Sequence, residues 1–448
     1  MDVEGRRIFS QAHVDGGTKV IRNERGFSLV ELMITMVVFV LVIVAASQIF
    51  TGLLTQFKQQ STIAESNIEG VVGLDILRRD LAHAGFGLPW VMNGAIYNEA
   101  VTDTIGETPW VDRNLSDGPP GSSINRGCTC ASTSTVCPSC SGTTCSSCTE
   151  NNAGYNAPAA FRSLNNMGIS ASTGTSYIPN TTADVLAIKS TNVAMNDASQ
   201  KWSFIANRGA WSTILRWGTM DQPNNGDFIT VIDPSPSAAT NSQRQLSTTA
   251  GFYTTFGDTI ANGPALNSNN TFVIYDLGTN APRMPFNRAD YYVKRPASGM
   301  PSRCAPNTGI LYKATINNTV GLATSGYHTE MPLLDCVADF QVDYMLDTDG
   351  DGTVDTPFVD DISNLPAAQV RAEVKEVRVY IVSQEGRKDL NYDFSNGGTR
   401  TALSTTEVYG TQSNGRTFVD LKNMIGNPAY KYYRWKLYTL IVKPMNLQ

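Results

Sequence analysis

Asp347-Thr348-Asp349-Gly350-Asp351-Gly352-Thr353-Val354-Asp355 sets oxygen donors at alternate positions. Donors at that spacing can wrap one hard cation, and Gly352 permits the sharp turn that gathers them. The side chains of Asp347, Asp349 and Asp351 are the first candidates. The Thr353 carbonyl and Asp355, directly or through water, would complete the set. Carboxylates this close repel without a counter-ion, so calcium (Ca2+) is the expected cofactor. A solvated acidic hairpin turn is the plain alternative. Phe358 stands where such a loop ends in glutamate, and Asp360 and Asp361 are wrongly spaced to replace it.

The cysteines are the second chemistry-bearing set. Cys128-x-Cys130, Cys137-x-x-Cys140 and Cys145-x-x-Cys148 crowd a Ser/Thr/Cys/Gly-rich stretch, 113–150. In a reducing compartment this spacing suggests zinc or an iron–sulfur cluster; in an oxidising one it suggests disulfides of open connectivity. No histidine follows either Cys-x-x-Cys pair, so the c-type haem signature is absent. Cys304 and Cys336 stand apart and flank an apolar run at 309–314. A bridge between them is expected, which leaves the cluster an even number.

Other chemistries find little footing. There is no phosphate loop, no G-x-S-x-G elbow and no H-E-x-x-H. The histidines are His13, His83 and His328, none in a recognisable motif, and no enzyme is expected. The net charge of -6, without a long basic run, gives no reason to expect nucleic-acid binding. Apolar residues at 41% and charged residues at 17% suit a folded chain. Trp202, Trp211, Trp217 and Trp435 read as core residues rather than binding residues.

The elements that position these residues begin with the N-terminus. Residues 1–26 are polar and end in Arg22-Asn23-Glu24-Arg25-Gly26. No charged residue occurs from Leu32 to Phe57. As a helix, Phe27–Phe50 would be about 36 Å long, enough to cross a bilayer core. Arg22 and Arg25 precede it, so the positive-inside rule puts the N-terminus in the cytoplasm and the bulk outside. That topology favours disulfides over metal at the cysteines. An ordinary secretory signal has its small-residue cleavage site after the apolar run; here Gly26 comes before it.

Gly26-Phe27-Ser28-Leu29-Val30-Glu31-Leu32 resembles the type IV prepilin motif. The resemblance implies that a prepilin peptidase cuts the Gly26–Phe27 bond and methylates Phe27. It also implies that Glu31 pairs with the N-terminal amine of a neighbouring subunit during filament assembly. A carboxylate in a membrane helix is costly without such a partner. The Asp347–Asp355 spacing likewise resembles the first nine positions of an EF-hand-type calcium loop, although strands rather than helices flank it.

Further on, Phe57, Ala64, Ile68, Val71, Leu74, Leu77, Leu81 and Ala84 recur at three- and four-residue steps, predicting one helical face packed on a globular head. Gly85-Phe86-Gly87-Leu88-Pro89 should end that helix. His83, on the helix, reads as structural. Strands are expected at Ala183–Ser190, Asp227–Ile232, Thr271–Asp276, Asp290–Lys294, Gly309–Ala314, Leu334–Leu346, Val374–Ser383 and Tyr433–Val442. The fold class is α+β: a long N-terminal transmembrane and amphipathic helix packed on a mostly antiparallel β-rich head. The division is a cleaved leader at 1–26, a helix at 27–84 spanning the membrane over 27–50, and a periplasmic or extracellular head at 85–448 with the insert at 113–150. Residues 100–180 or so read as an insertion.

Leu77-Arg78-Arg79-Asp80-Leu81, Ala84-Gly85-Phe86-Gly87, Tyr291-Tyr292-Val293, Leu311-Tyr312-Lys313 and Tyr433-Arg434-Trp435-Lys436-Leu437 resemble PilW-type minor pilins. That implies an inner-membrane single-pass precursor later built into a pilus. Its partners would be major and minor pilins, the prepilin peptidase and the inner-membrane assembly machinery. A large type II secretion pseudopilin of the J-like kind is the alternative. A pilus-associated adhesin using the cysteine insert is another.

Overall fold

The computed structural model describes residues 26–95, 97, 128–129, 149–150, 157–171, 178–207, 211–214, 221–235, 244–257, 263, 271–319, 328–355, 358–362, 365–395 and 421–447. The chain forms two units, 1–58 and 59–448. Of the leader expected at 1–26, residues 1–25 lie outside the described residues.

Helix α1, Leu29–His83, begins in the first unit. Residues 26–58 are exposed on every side. A window of this helix reaches a mean hydropathy of 2.9, long and apolar enough to cross a membrane. A helix apolar all round needs an apolar solvent, which a bilayer supplies. The helix stops where expected, and Gly85 (φ 81°) and Gly87 (φ 70°) take the left-handed turn that follows.

In the second unit the buried seam of α1 runs through Gly70, Gly73, Leu74, Leu77, Asp80 and Leu81, and Ala84, just past the helix, continues it. The apolar face expected from sequence therefore splits. Leu74, Leu77, Leu81 and Ala84 are buried, but Ile68 and Val71 are 68% and 67% exposed. Phe57, on the first unit, is exposed too. Glycine carries the contact instead. A Cβ at Gly73 would lie 2.1 Å from the Leu333 carbonyl oxygen, and one at Gly70 would meet the Tyr438 hydroxyl at 3.0 Å. Helix and sheet approach more closely here than any side chain allows.

The strands, in chain order, are β1 (Cys128–Thr129), β2 (Thr149–Glu150), β3 (Phe161–Leu164), β4 (Val185–Ser190), β5 (Trp202–Asn207), β6 (Trp211–Ile214), β7 (Phe228–Asp233), β8 (Gln245–Leu246), β9 (Thr254–Thr255), β10 (Thr271–Gly278), β11 (Asn287–Lys294), β12 (Gly309–Ile316), β13 (His328–Leu346), β14 (Val374–Glu385) and β15 (Arg434–Val442). Short helices α2 (Ala367–Glu373) and α3 (Leu421–Ile425) precede β14 and β15. The main sheet has the order β15-β14-β13-β12-β11-β4-β3, antiparallel throughout. A smaller sheet runs β6-β5-β10-β7-β8, with β9 also on β7. β1 and β2 pair with each other.

All eight strands expected from sequence are present, so the α+β reading holds. The second sheet was read only in part. Its members β7 and β10 were expected, but as strands of one head. In the structure β5–β10 form a separate sheet inserted between β4 and β11 of the main one. β1, β2, β3, β5, β6, β8 and β9 carry no sequence expectation; all of these but β5 have two to four residues, too few for a period-2 pattern to declare itself.

The main core gathers Leu77 and Leu81 of α1 with Leu186, Ile188, Tyr291, Leu311, Phe340, Val379 and Ile381 from the sheet. Within it, Asp80 accepts hydrogen bonds from Lys313 and from the Tyr291 hydroxyl. Burial pushes the Asp80 carboxyl up and the Lys313 ammonium down, and the pairing opposes both shifts. This contact fixes where along the strands the helix sits.

Candidate functional site

At the N-terminal end, Gly26, Phe27 and Ser28 precede the helix, and Phe27 is 75% exposed. The Gly26–Phe27 bond thus lies on accessible chain outside the helix. Glu31 falls in the first helical turn, four residues after Phe27, with its side chain exposed. A carboxylate there also complements the partial positive charge of the helix start.

The acidic loop links β13 to the segment returning at Val359, whose backbone pairs with Tyr344 at 2.8 and 2.9 Å. Asp347, Asp349 and Asp355 bring one oxygen each within 4.8 Å of one another; Asp351 is outside that group. The loop also satisfies itself. Asp347 accepts the Gly350 and Gly352 amides at 2.8 and 3.0 Å and meets Lys375 at 3.3 Å. Asp355 accepts the Thr348 amide at 2.6 Å, the Thr348 hydroxyl at 2.8 Å and the Asp349 amide at 3.1 Å. Asp351 accepts the Thr353 amide at 2.7 Å and its hydroxyl at 2.6 Å. Gly350 (φ 78°) and Gly352 (φ 88°) make the turns.

Desolvation works against the Asp347 charge, but the Gly350 amide, Lys375 and the Gly352 amide outweigh it and hold its carboxyl below the ordinary value. The Thr348 hydroxyl and amide do the same for Asp355. The repulsion inferred from sequence is therefore met largely by N–H and O–H donors. Three carboxylates remain close enough to share a cation, with Lys375 beside them as an internal competitor.

Cys304 and Cys336 are disulfide-bonded, with Cα atoms 4.9 Å apart. Cys336 is left-handed (φ 54°), at an irregular stretch of the β12–β13 ladder. The bridged loop has other ties. Gln384 of β14 accepts the Ala305 amide at 2.6 Å and donates to the Arg303 carbonyl at 2.8 Å. Arg303 also pairs with Asp335 at 2.8 Å. Of the cluster, Cys128 begins β1, while Cys130, Cys137, Cys140, Cys145 and Cys148 lie outside the described residues. Trp217 is outside them too. Trp202 packs edge-on against Phe86 and Phe204, and Trp435 packs against the main core. His83 ends α1, its Nδ1 2.9 Å from the Arg79 carbonyl.

One group escaped the sequence reading. Asp276 near the end of β10 and Asp227 before β7 are 1% and 3% exposed, and the two interact electrostatically. Burial first, and Asp227 among the further causes, push Asp276 up to about 7. No spacing rule flags two residues 49 positions apart; only the pairing of β7 with β10 brings them together.

Comparison with known proteins fits this division of the chain. Residues 21–47 match the family model described as the prokaryotic N-terminal methylation motif, and residues 290–443 match that of the Type IV Pilus-assembly protein W. The second match begins in β11 and covers β12, β13, β14 and β15, which lie side by side in the main sheet. Neither description is of an enzyme. A type IV-like pilin from Thermus thermophilus is similar at 17% identity and a TM-score of 0.18, over 36% of this chain and 66% of that one. The chain thus spans just under two thirds of that pilin's length. No curated protein matched.

Proposed function

We propose, from a prepilin-type N-terminus joined to a pilus-assembly W region, that this chain is a minor pilin acting in type IV pilus assembly or priming. The pairing of those two matches in one chain carries the reading. On this reading 1–26 is a leader, cut at Gly26–Phe27, and Phe27 is methylated at the inner membrane. The helix at 27–50 spans the bilayer with the head outside. Glu31 then meets the new N-terminal ammonium of a neighbouring pilin, and that pairing guides register as the subunit leaves the membrane. The head, rather than the helix, distinguishes the subunit and offers surfaces to other pilins.

Mass spectrometry of sheared filaments tests this. The expected finding is this chain beginning with methyl-Phe27, and Glu31→Ala should leave processing intact while removing the chain from filaments. An unprocessed chain retained in the membrane overturns it. Co-purification with secretion components instead of pili would make the chain a type II pseudopilin.

The loop at 347–355 is proposed as a calcium site held by Asp347, Asp349 and Asp355, with Asp351 and the Thr353 carbonyl as further donors. The support is the donor set, three carboxylate oxygens within 4.8 Å. Calorimetric titration with Ca2+ should give heat that Asp349→Ala abolishes; no heat from the unaltered chain ends the claim. A surface-contact role belongs to the cysteine insert, 113–150. Deleting it should abolish attachment and spare pili.

A further inference from the structure

The second unit begins at Gln59, and its first stretch of α1 meets the chain just after β14: a Cβ at Gly386 would lie 3.0 Å from Ile63. Farther along, Gly70 lies against Tyr438, and the Met445 amide donates to the Ala82 carbonyl at 3.0 Å. β15 therefore runs along α1 in the same direction, and β14 runs against it. The end of β14 and the start of β15 thus stand where the chain enters the head. Lys58 is the first charged residue after Glu31. Ile63 follows five residues later in the chain, about 7.5 Å of helix. A bilayer's headgroup layer is itself about 5–7 Å deep on each side.

Past β14 the chain reads Gly386-Arg387-Lys388-Asp389-Leu390-Asn391-Tyr392. Asp389–Tyr392 is a tight turn, closed by the Tyr392 amide on the Asp389 carbonyl at 3.1 Å. The Asp389 amide pins it to the Tyr432 carbonyl at 2.8 Å. Leu390, inside that turn, is 70% exposed, more than any other large apolar side chain described in the second unit outside α1. A lone exposed leucine is ordinary, and its neighbours are what give this one meaning. Arg387 and Lys388 are exposed and Lys431 is half-buried, and none of the three forms an ion pair among the described residues. The carboxylates beside them are committed: Asp389 to Arg434 at 2.9 Å, Glu385 to Lys436 at 2.8 Å, and Asp393 to the Ser395 amide at 2.9 Å. Two half-buried tyrosines complete the group. The Lys388 ammonium lies 5.6 Å from the Tyr432 ring, and the Arg434 guanidinium 4.1 Å from the Tyr392 ring. A surplus of positive charge thus surrounds an aliphatic tip, on a chain whose net charge is -6.

We propose that the turn at 386–392 is a membrane-contact site: Leu390 enters the edge of an anionic lipid layer while Arg387, Lys388 and Lys431 meet its headgroup phosphates. The proposal rests on the reading of 27–50 as the membrane span. Cations near a negatively charged bilayer surface are attracted to it, and tyrosine favours the interface. The pinned turn holds the leucine out in advance, so little ordering is needed on contact. An acidic protein surface would also suit the cations. The aliphatic tip, and its place at the end of the head where the chain enters, favour lipid. The contact steadies the head at the bilayer, and it is given up when the subunit leaves the membrane.

The test uses the full chain in lipid nanodiscs, one set of phosphatidylcholine alone and one containing phosphatidylglycerol, with amide hydrogen exchange followed by mass spectrometry. Exchange over 387–392 should be about tenfold slower in the anionic discs, and the difference should vanish in about 0.5 M salt. Arg387→Glu combined with Lys388→Glu should abolish the slowing, and Leu390→Asp should reduce it. Unchanged exchange in β13 and β14 shows that both variants keep their fold. Equal exchange in the two kinds of disc, or slowing that survives the charge reversal, overturns the proposal and leaves the membrane span standing. A chain that neither disc retains overturns the membrane span, and this contact with it.

Discussion

Asp80 and Asp276 are both buried carboxyls, yet their surroundings treat them differently. Asp80 faces a cation and a hydroxyl; Asp276 interacts with a second carboxyl. The consequence for stability follows from linkage. Asp276 ionises at about 7 in the folded head against an ordinary 3.8. A raised carboxyl gives stability that is full below 3.8 and lost as pH climbs through 7. The head should accordingly melt at progressively lower temperature from pH 5 to pH 8. Asp276→Asn removes the charge that burial penalises, so it should flatten that slope and melt higher at pH 8, by ~2–4 °C for each kcal/mol of penalty relieved. Calorimetric scans of both proteins at several pH values check this, the difference between them isolating Asp276 from other titrating groups. Parallel curves would mean that Asp276 does not titrate in this range.

At the scale of elements, the joint between α1 and the main sheet turns on two glycines. Gly73→Ala would drive a methyl group into the Leu333 carbonyl, which belongs to β13 and cannot rotate away. Gly70→Ala meets only the end of the Tyr438 side chain. The first substitution should destabilise the head by about 3 kcal/mol, at the upper end of ordinary overpacking, and the second by under about 1 kcal/mol. Limited proteolysis and thermal melts of the two variants measure the order, and equal effects would refute the close-approach account. The same joint marks what could be read from the chain beforehand. The apolar spacing Leu74, Leu77, Leu81, Ala84 announced a packed helix face, and the alternation Val377, Val379, Ile381 announced β14. The true seam, continuing through Gly70 and Gly73, stayed hidden because glycine contributes no hydrophobic signal. It contributes the absence of a side chain, whose value depends on the strand opposite. The acidic loop was legible because its donors are contiguous in sequence, whereas Asp227 and Asp276 needed a sheet to meet.

At the scale of the whole molecule, the decisive feature is where the second sheet enters the first. Ser190 at the end of β4 and Asn287 at the start of β11 are direct antiparallel partners. The chain therefore leaves the main sheet and returns to it at one point, with β5–β10 between. The pilus-assembly W match begins just after this return, at residue 290, so the inserted sheet lies outside it. Replacing 191–286 by an Asn-Gly turn, which suits a two-residue antiparallel hairpin, should leave β4 and β11 in register. The rest of the main sheet and the Cys304–Cys336 bridge should form as before. The shortened head must melt lower, because Val193, Met284 and Phe286 leave the main core, and burial of a Met or Phe side chain is worth about 2–5 kcal/mol by truncation. A cooperative melt with no free thiol at Cys304 or Cys336 is the expected result. A chain that aggregates with both thiols free would show that the inserted sheet is needed to fold the sheet it interrupts, and that Phe86, packed on Trp202 and Tyr275, joins the two into one cooperative structure.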